Sequence, residues 1–328
     1  MRRIHAASLN LAAVAAFFAF LSGAAMAQNA EFLAPQGDAQ AFAAYAPEET
    51  EALDLLDYHI HYRGSMTVQK AHERAKVTGV KSGVLENVGR EWPLNTNAIL
   101  SQFISTVEDY NATLPADERL KIGIQVNDRN WYETIDPEVY SRLDYVLADT
   151  MIMGQRPDGS DERLWLLPKD YDVDQDEWFE RYYQHCMTVV SEPIDIIANV
   201  TWLPDFIADR YDELWTRERM AVLIQAAIDG GVALEIQAES FAPKPQFVEL
   251  ALEMGAKFSF GSNNFDQKLK NTDAWKKNIK QFNITKDNLW RDYQYDASAN
   301  VPRRVKPAEK RVLDYDEIVA RLKAKNIL

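Results

Sequence analysis

Seven short apolar runs, most of them separated by segments with helical periodicity, leave this chain very few folds. The runs fall at 55–61, 83–87, 121–126, 143–149, 194–200, 232–237 and 256–261. Amphipathic patterns lie between most of them, at 67–78, 97–111, 177–191, 216–230 and 245–254. Thr216 supplies an N-cap-like start to one of these, Gly230-Gly231 closes it, and Met254-Gly255 stops the next in the same way. Strands that alternate with helices pair in parallel through crossovers of one hand. In a single chain of this size, seven of them predict a closed, TIM-like (β/α)7 barrel with a parallel sheet. An open doubly wound sheet is the competing topology, but no dinucleotide glycine signature follows the first run.

The start of the chain reads as an address. Arg2 and Arg3 precede an apolar stretch at 12–21, and Ala25-Met26-Ala27 has the small-residue pattern of a cleavage site. The expected organisation is a signal peptide at 1–27, an N-terminal extension at 28–50 and one barrel domain at 51–328 that ends in a helix at 313–328. The product would be periplasmic or secreted. No later run is long enough to span a bilayer. Asp and Glu number 50 against 36 Lys and Arg, a balance that argues against a nucleic-acid partner and leaves a small molecule as the expected one. Cys186 is the only cysteine, so no internal disulfide can form; it reads as a packed thiol.

In such barrels chemistry gathers at the carboxyl ends of the strands, where the loops converge on one open face. Those ends carry His59 and His61, Asn87, Gln125 and Asn127, Asp149, Asn199, Glu235 and Gln237, and Asn263 and Asn264. Strict alternation along the first strand puts Asp57, His59 and His61 on one side. Two imidazoles on one face of one strand can give a metal ion two neutral nitrogen ligands. Glu86 and Asn87 alternate, so only one faces the pocket, and Asn87 is the expected one. Glu235 lies between Leu234 and Ile236, where a carboxylate needs a partner. His72 and His185, on helical segments, read as solvated surface residues. Arg63, Arg129 and Arg163 follow strand ends and could meet an anionic or hydroxyl-rich ligand. Trp92, Trp131, Trp165 and Trp202 fall in loops over the same face, either to stack on a ring-shaped substrate or to pin the loops.

Read in order, several pieces resemble the PHP (polymerase and histidinol phosphatase) superfamily. They are Asp57-Tyr58-His59-Ile60-His61, Ala75-Lys76-Val77-Thr78-Gly79, Gly123-Ile124-Gln125-Val126-Asn127, Asp144-Tyr145-Val146, Asp195-Ile196-Ile197-Ala198-Asn199, Ala233-Leu234-Glu235-Ile236 and Gly261-Ser262-Asn263-Asn264. The resemblance implies a distorted seven-stranded barrel and phosphoester hydrolysis on clustered metal ions. The chain departs from that pattern at Val88, Gln125, Asn199 and Phe265, where the resemblance leads one to expect charged or imidazole ligands. Amide oxygens are weak ligands beside imidazole or carboxylate. The expectation is therefore at most one divalent ion (Zn, Mn or Mg) on His59, His61 and Asp149.

The expected activity is a metal-dependent, phosphoesterase-like hydrolase of a small polar molecule. Asp149 or Glu235 would move the proton, and Arg63, Asn87, Gln125, Asn199, Trp202, Asn263 and Asn264 would hold the substrate. The alternatives are a barrel that binds a small, carbohydrate-derived ligand without turnover, and a lyase on such a substrate.

Overall fold

The computed structural model describes residues 53–155, 160–238, 243–265, 273–291 and 309–328. The expected signal peptide at 1–27 and the extension at 28–50 lie outside the described residues. Seven parallel strands form a closed barrel: β1 (Leu56–His61), β2 (Lys81–Leu85), β3 (Lys121–Val126), β4 (Tyr145–Asp149), β5 (Ile196–Ala198), β6 (Ala233–Gln237) and β7 (Phe258–Gly261). Each pairs with the next in chain order, and β1 pairs with β7 to close the ring. After a break at Glu86, the two residues Asn87–Val88 pair further along β3. Every expected apolar run overlaps a strand, the second beginning two residues early at Lys81, because a parallel strand buried on both faces reads as a continuous hydrophobic stretch.

The helices cover the outside: α1 (Val68–Thr78), α2 (Asn97–Asn111), α3 (Gln175–Ser191), α4 (Arg217–Gly230), α5 (Pro245–Glu253), α6 (Asp273–Phe282) and α7 (Tyr315–Ala324). Their ends are written in the sequence. Thr67, Thr96 and Thr216 each accept a backbone N–H three residues on, and Gly79 and Gly231 close α1 and α4 in the left-handed conformation. Each such cap is worth roughly 1 kcal/mol. The C-terminal helix packs on α4, as expected of an outer element. No helix among the described residues is long and apolar enough to cross a membrane.

The main core lies between the barrel wall and the helices, and a smaller one fills the barrel itself. Tyr145 is the centre of the inner core. Its ring packs edge-on against Tyr58 at 5.2 Å, its hydroxyl donates to the Tyr58 carbonyl (2.8 Å), and Trp290 closes on Tyr58 from beyond β7. Room for the ring comes from two glycines on adjacent strands. A Cβ on Gly123 would stand 2.2 Å from the Tyr145 ring, and one on Gly83 would stand 2.8 Å from its hydroxyl.

The first strand departs from strict alternation. Asp57 pairs with Ser82, but Ile60 pairs with Val84, so three steps on β1 match two on β2 and the strand bulges between them. Asp57 therefore does not share a face with the two histidines. It turns outward to meet Arg74 of α1 (2.8 Å), both side chains being fully buried. The surface expectation for two other histidines is also corrected. His72 is buried between the Tyr110 hydroxyl (2.9 Å) and Glu118 (2.9 Å), because α2 and the loop after it fold over α1. His185 is buried on α3, where burial pushes its pKa down to about 3. Cys186 beside it is a buried free thiol, as expected, with its pKa pushed by burial up to about 12.

The fit of Tyr145 against Gly123 is testable by urea denaturation. Gly123→Ala overpacks the barrel and should cost about 1–3 kcal/mol. Combined with Tyr145→Leu, which removes the ring, its cost should be much less than additive.

Candidate functional site

At the carboxyl ends of the strands lies a cavity of about 390 Å³ lined by His61, Arg63, Asn87, Gln125, Asp149 and Asn263, with Trp92, Met151, Ile152, Trp165 and Phe265 on its walls. Of the residues expected in the site, Arg63, His61, Asn87, Gln125, Asp149 and Asn263 face this cavity. His59, Glu235 and Asn199 lie buried beneath it in a continuous hydrogen-bonded layer. Asn264 is buried at the end of β7, where its backbone pairs with both histidines: its N–H donates to the His59 carbonyl (3.1 Å), and the His61 N–H donates to its carbonyl (2.7 Å). Trp202 packs against the outer core instead, and Trp131 is buried with its indole N–H donating to Glu192 (2.9 Å).

The bulge in β1 aims the histidines. Asp57 Oδ1 accepts the His59 N–H (3.1 Å) and the Ser262 N–H (3.0 Å), fixing the end of β1 against the end of β7. The His59 and His61 rings then stand 5.1 Å apart. Glu235 reaches His59 Nδ1 at 2.6 Å from β6, across the backbone of Gly261. A Cβ at Gly261 would stand 1.8 Å from that carboxylate oxygen, so only glycine lets the pair form.

Hydrogen-bond polarity assigns the protons. Arg63 donates to Glu86 from Nη2 (2.9 Å) and Nε (3.1 Å), and from Nη2 to His61 Nδ1 (2.9 Å). A guanidinium has no acceptor, so His61 Nδ1 accepts and the ring carries its proton on Nε2. Burial and the Arg63 charge hold this ring neutral, with a pKa near 4. Burial works against ionisation of Glu86, but the Arg63 charge and the Asn87 N–H outweigh it and hold the carboxyl below its usual range. From Glu86 the amides run in one direction. Asn87 Nδ2 donates to Glu86 (3.2 Å), Asn127 Nδ2 to Asn87 (2.8 Å) and Gln125 Nε2 to Asn127 (3.4 Å). Gln125 thereby presents its Oε1 to His59 Nε2 at 3.1 Å. With a carbonyl oxygen on one ring nitrogen and a carboxylate on the other, His59 donates at both and is an imidazolium. Burial alone would lower its pKa; the Glu235 charge and hydrogen bond raise it.

Asp149 is the remaining acid. Burial raises its pKa to about 6, against the opposing effects of the Met151 N–H (2.8 Å), Asn199 and the His59 charge. The Arg63–Glu86 and His59–Glu235 pairs each cancel, which leaves Asp149 as the uncompensated charge facing the cavity.

Glu86 is the site residue that alternation sets aside. Leu85 points into the barrel, so a continued strand would turn Glu86 outward. The strand breaks there instead, and Glu86 Oε1 accepts the N–H of its own neighbour, Asn87 (2.7 Å). An acid at the end of the apolar run, directly after Val84-Leu85, is the signal that could have found it, since a carboxylate there needs a partner.

The expected metal ligands converge, but their donor atoms are taken. Both His59 nitrogens are engaged, and His61 holds a proton on the nitrogen left to it. Among the described residues, no group of three or more His, Cys, Asp or Glu side chains is arranged to hold an ion. As arranged, the set does not fit a divalent metal. No protein-family model matches the chain, and no curated protein matches it.

The Asp149 carboxylate carries a stability cost of known sign. Its folded pKa, about 6, lies above its unfolded value of 3.8, so the cost is absent below pH 3.8, grows between the two values and is complete above 6. Asp149→Asn should stabilise the fold at pH 7.5 by up to about 3 kcal/mol and have little effect at pH 4, as read by urea denaturation at both values. A loss of stability at pH 7.5 would mean that the carboxylate has a cationic partner.

Proposed function

We propose that this chain is an enzyme that hydrolyses a small polar molecule by proton transfer at the mouth of the barrel. The observation that carries the reading is the placement of Asp149, a buried carboxylate with a raised pKa, on the floor of a cavity underlain by the His59–Glu235 pair. An acid whose pKa sits near the working pH is matched to take a proton and return it. Asp149 takes a proton from water or substrate. The Nε2–H of His61 and the guanidinium of Arg63 donate to the oxygen on which charge develops, as fixed donors on the opposite wall. His59 and Glu235 do not exchange protons in this scheme. They hold Gln125 and the cavity floor in place.

A lyase uses the same groups, with Asp149 abstracting a carbon-bound proton and the donors stabilising the resulting enolate. A phosphoester substrate is what the resemblance to the PHP superfamily implies. The internal neutralisation of both charge pairs argues for a less anionic one. The expected leader places the chemistry in the periplasm or outside the cell; N-terminal sequencing of periplasmic material should then read from Gln28, and an intact Met1 on soluble cytoplasmic protein would refute export.

Turnover is tested with chromogenic glycosides, carboxyl esters and p-nitrophenyl phosphate, with and without a chelator. On whichever class is cleaved, Asp149→Asn should lower kcat by roughly 10²–10⁴ without lowering the thermal midpoint. Full activity in that variant sinks the reading. Binding without turnover in every class would point instead to a barrel that holds its ligand unchanged.

A one-ion hydrolase is the second reading, favoured by His61 and Asp149 lining one cavity with the His59 ring 5.1 Å from that of His61. Metal analysis of the purified protein and of His59→Ala/His61→Ala decides it. Stoichiometric metal lost in the variant supports an ion; equal, near-zero metal in both forms rejects it.

A further inference from the structure

The rim of the cavity is unlike the rest of the surface. Large hydrophobic side chains stand exposed at five described positions, Trp165, Leu166, Phe265, Val312 and Tyr315. Two of these, Trp165 and Phe265, each 45% exposed, line the cavity itself. Trp165 follows β4 and Phe265 follows β7, strands separated by β5 and β6 on one side and by β1, β2 and β3 on the other. The two aromatics therefore approach the mouth from opposite sides of the barrel.

A third ring lies between them around the barrel, on the side of β1, β2 and β3. Trp92 follows the second strand and is mostly buried; its indole N–H donates to Asp161 (2.7 Å). The Arg163 guanidinium lies 4.4 Å above its centroid. Asp161 and Arg163 belong to an antiparallel arm, Ile152–Gln155 paired with Asp161–Arg163, which leaves the barrel after β4 and continues directly into the turn that carries Trp165. The arm thus holds one wall ring by its indole N–H and by its face, and presents the next.

We propose that the occupant of this cavity is a hydroxyl-rich ring, a neutral pyranose sugar, held at its apolar C–H face by Trp165 and Phe265. Such a ring needs two kinds of surface at once, and both are here. Aromatic faces suit its C–H side, while the amides of Asn87, Gln125 and Asn263 offer donors and acceptors to its hydroxyls. The charge balance favours a neutral sugar over a phosphorylated one. Each cation of the site is already paired with a carboxylate, and Asp149 would repel a dianion. A volume of about 390 Å³ is within the range of small-molecule pockets and has room for one such ring.

This inference rests on the proposed location of the reaction and names what is bound there, so binding and turnover are measured apart. The probes are methyl α- and β-glycosides of glucose, galactose, mannose and xylose, with glucose 6-phosphate as the charged comparison. Binding is read by calorimetry and by saturation-transfer NMR on the ring protons. At least one neutral glycoside should bind, with transfer strongest at its C–H protons. Trp165→Ala and Phe265→Ala should each weaken it roughly five- to tenfold. Both positions are exposed, so the thermal midpoints should not move, and Trp165→Tyr should restore binding. Absence of binding by every glycoside at about 10 mM, undiminished affinity in both alanine variants, or glucose 6-phosphate binding tenfold more tightly than the neutral sugar would each overturn the proposal. Glycoside binding that survives in Asp149→Asn supports it whether or not that variant keeps its activity. Cleavage of a non-sugar substrate with no glycoside bound overturns it and leaves the hydrolase reading standing.

Discussion

The two histidines of the site depend on an ion pair that lies outside it. Arg74 of the first helix holds Asp57 at 2.8 Å, with both side chains fully buried. Asp57 in turn accepts the N–H groups of His59 and Ser262, which joins the first and last strands of the ring where the bulge lies. A buried pair of this kind contributes little net stability, since desolvation offsets most of its attraction. Removal of one partner, however, leaves a bare charge in the core and costs about 3–5 kcal/mol. Here its contribution is geometric: it anchors an irregular strand, and the irregularity turns two histidines toward one cavity.

The architecture was legible in the sequence because its signals are local. Seven strands buried on both faces read as seven apolar runs, and the threonine caps and glycine stops mark where the helices begin and end. The polar strand ends were legible too, since His61, Arg63, Asn87, Gln125, Asp149 and Asn263 all reach the cavity. What escaped was set by longer-range effects. A bulge adds one residue without changing composition, so alternation assigned Asp57 to the wrong side. Glu86 enters the site because its strand breaks, and the partner that draws it in follows a different strand. His72 has a surface-like helical pattern, but α2 and the following loop cover it, which no periodicity along α1 can report. The loop tryptophans divide in the same way. Trp92 and Trp165 line the cavity, while Trp131 and Trp202 pack inward, and the four differ in their tertiary surroundings rather than in local sequence.

The floor of the pocket is a directed chain rather than a scatter of polar groups. It begins at the carboxylate of Glu86, passes through three amides and ends at His59, and each donor orients the next. Side-chain amides can be turned end for end, and an isolated one would leave the tautomer of its neighbour open. Anchored at one end by a carboxylate that only accepts, this series has a single self-consistent direction. Buried polar layers that are fully satisfied are rigid and specify one arrangement. The reactive acid thus sits above a platform that has little freedom to rearrange when a ligand arrives.

Glycine at 261 has an effect that reaches beyond its own strand. Because it carries no side chain, the carboxylate of Glu235 can lie across its backbone and reach the imidazole of His59. A single methyl at that point would push the oxygen away and leave the ring without the anion that raises its pKa. The ionisation of a histidine on the first strand of the barrel is thereby governed from the seventh, by an atom that is not there.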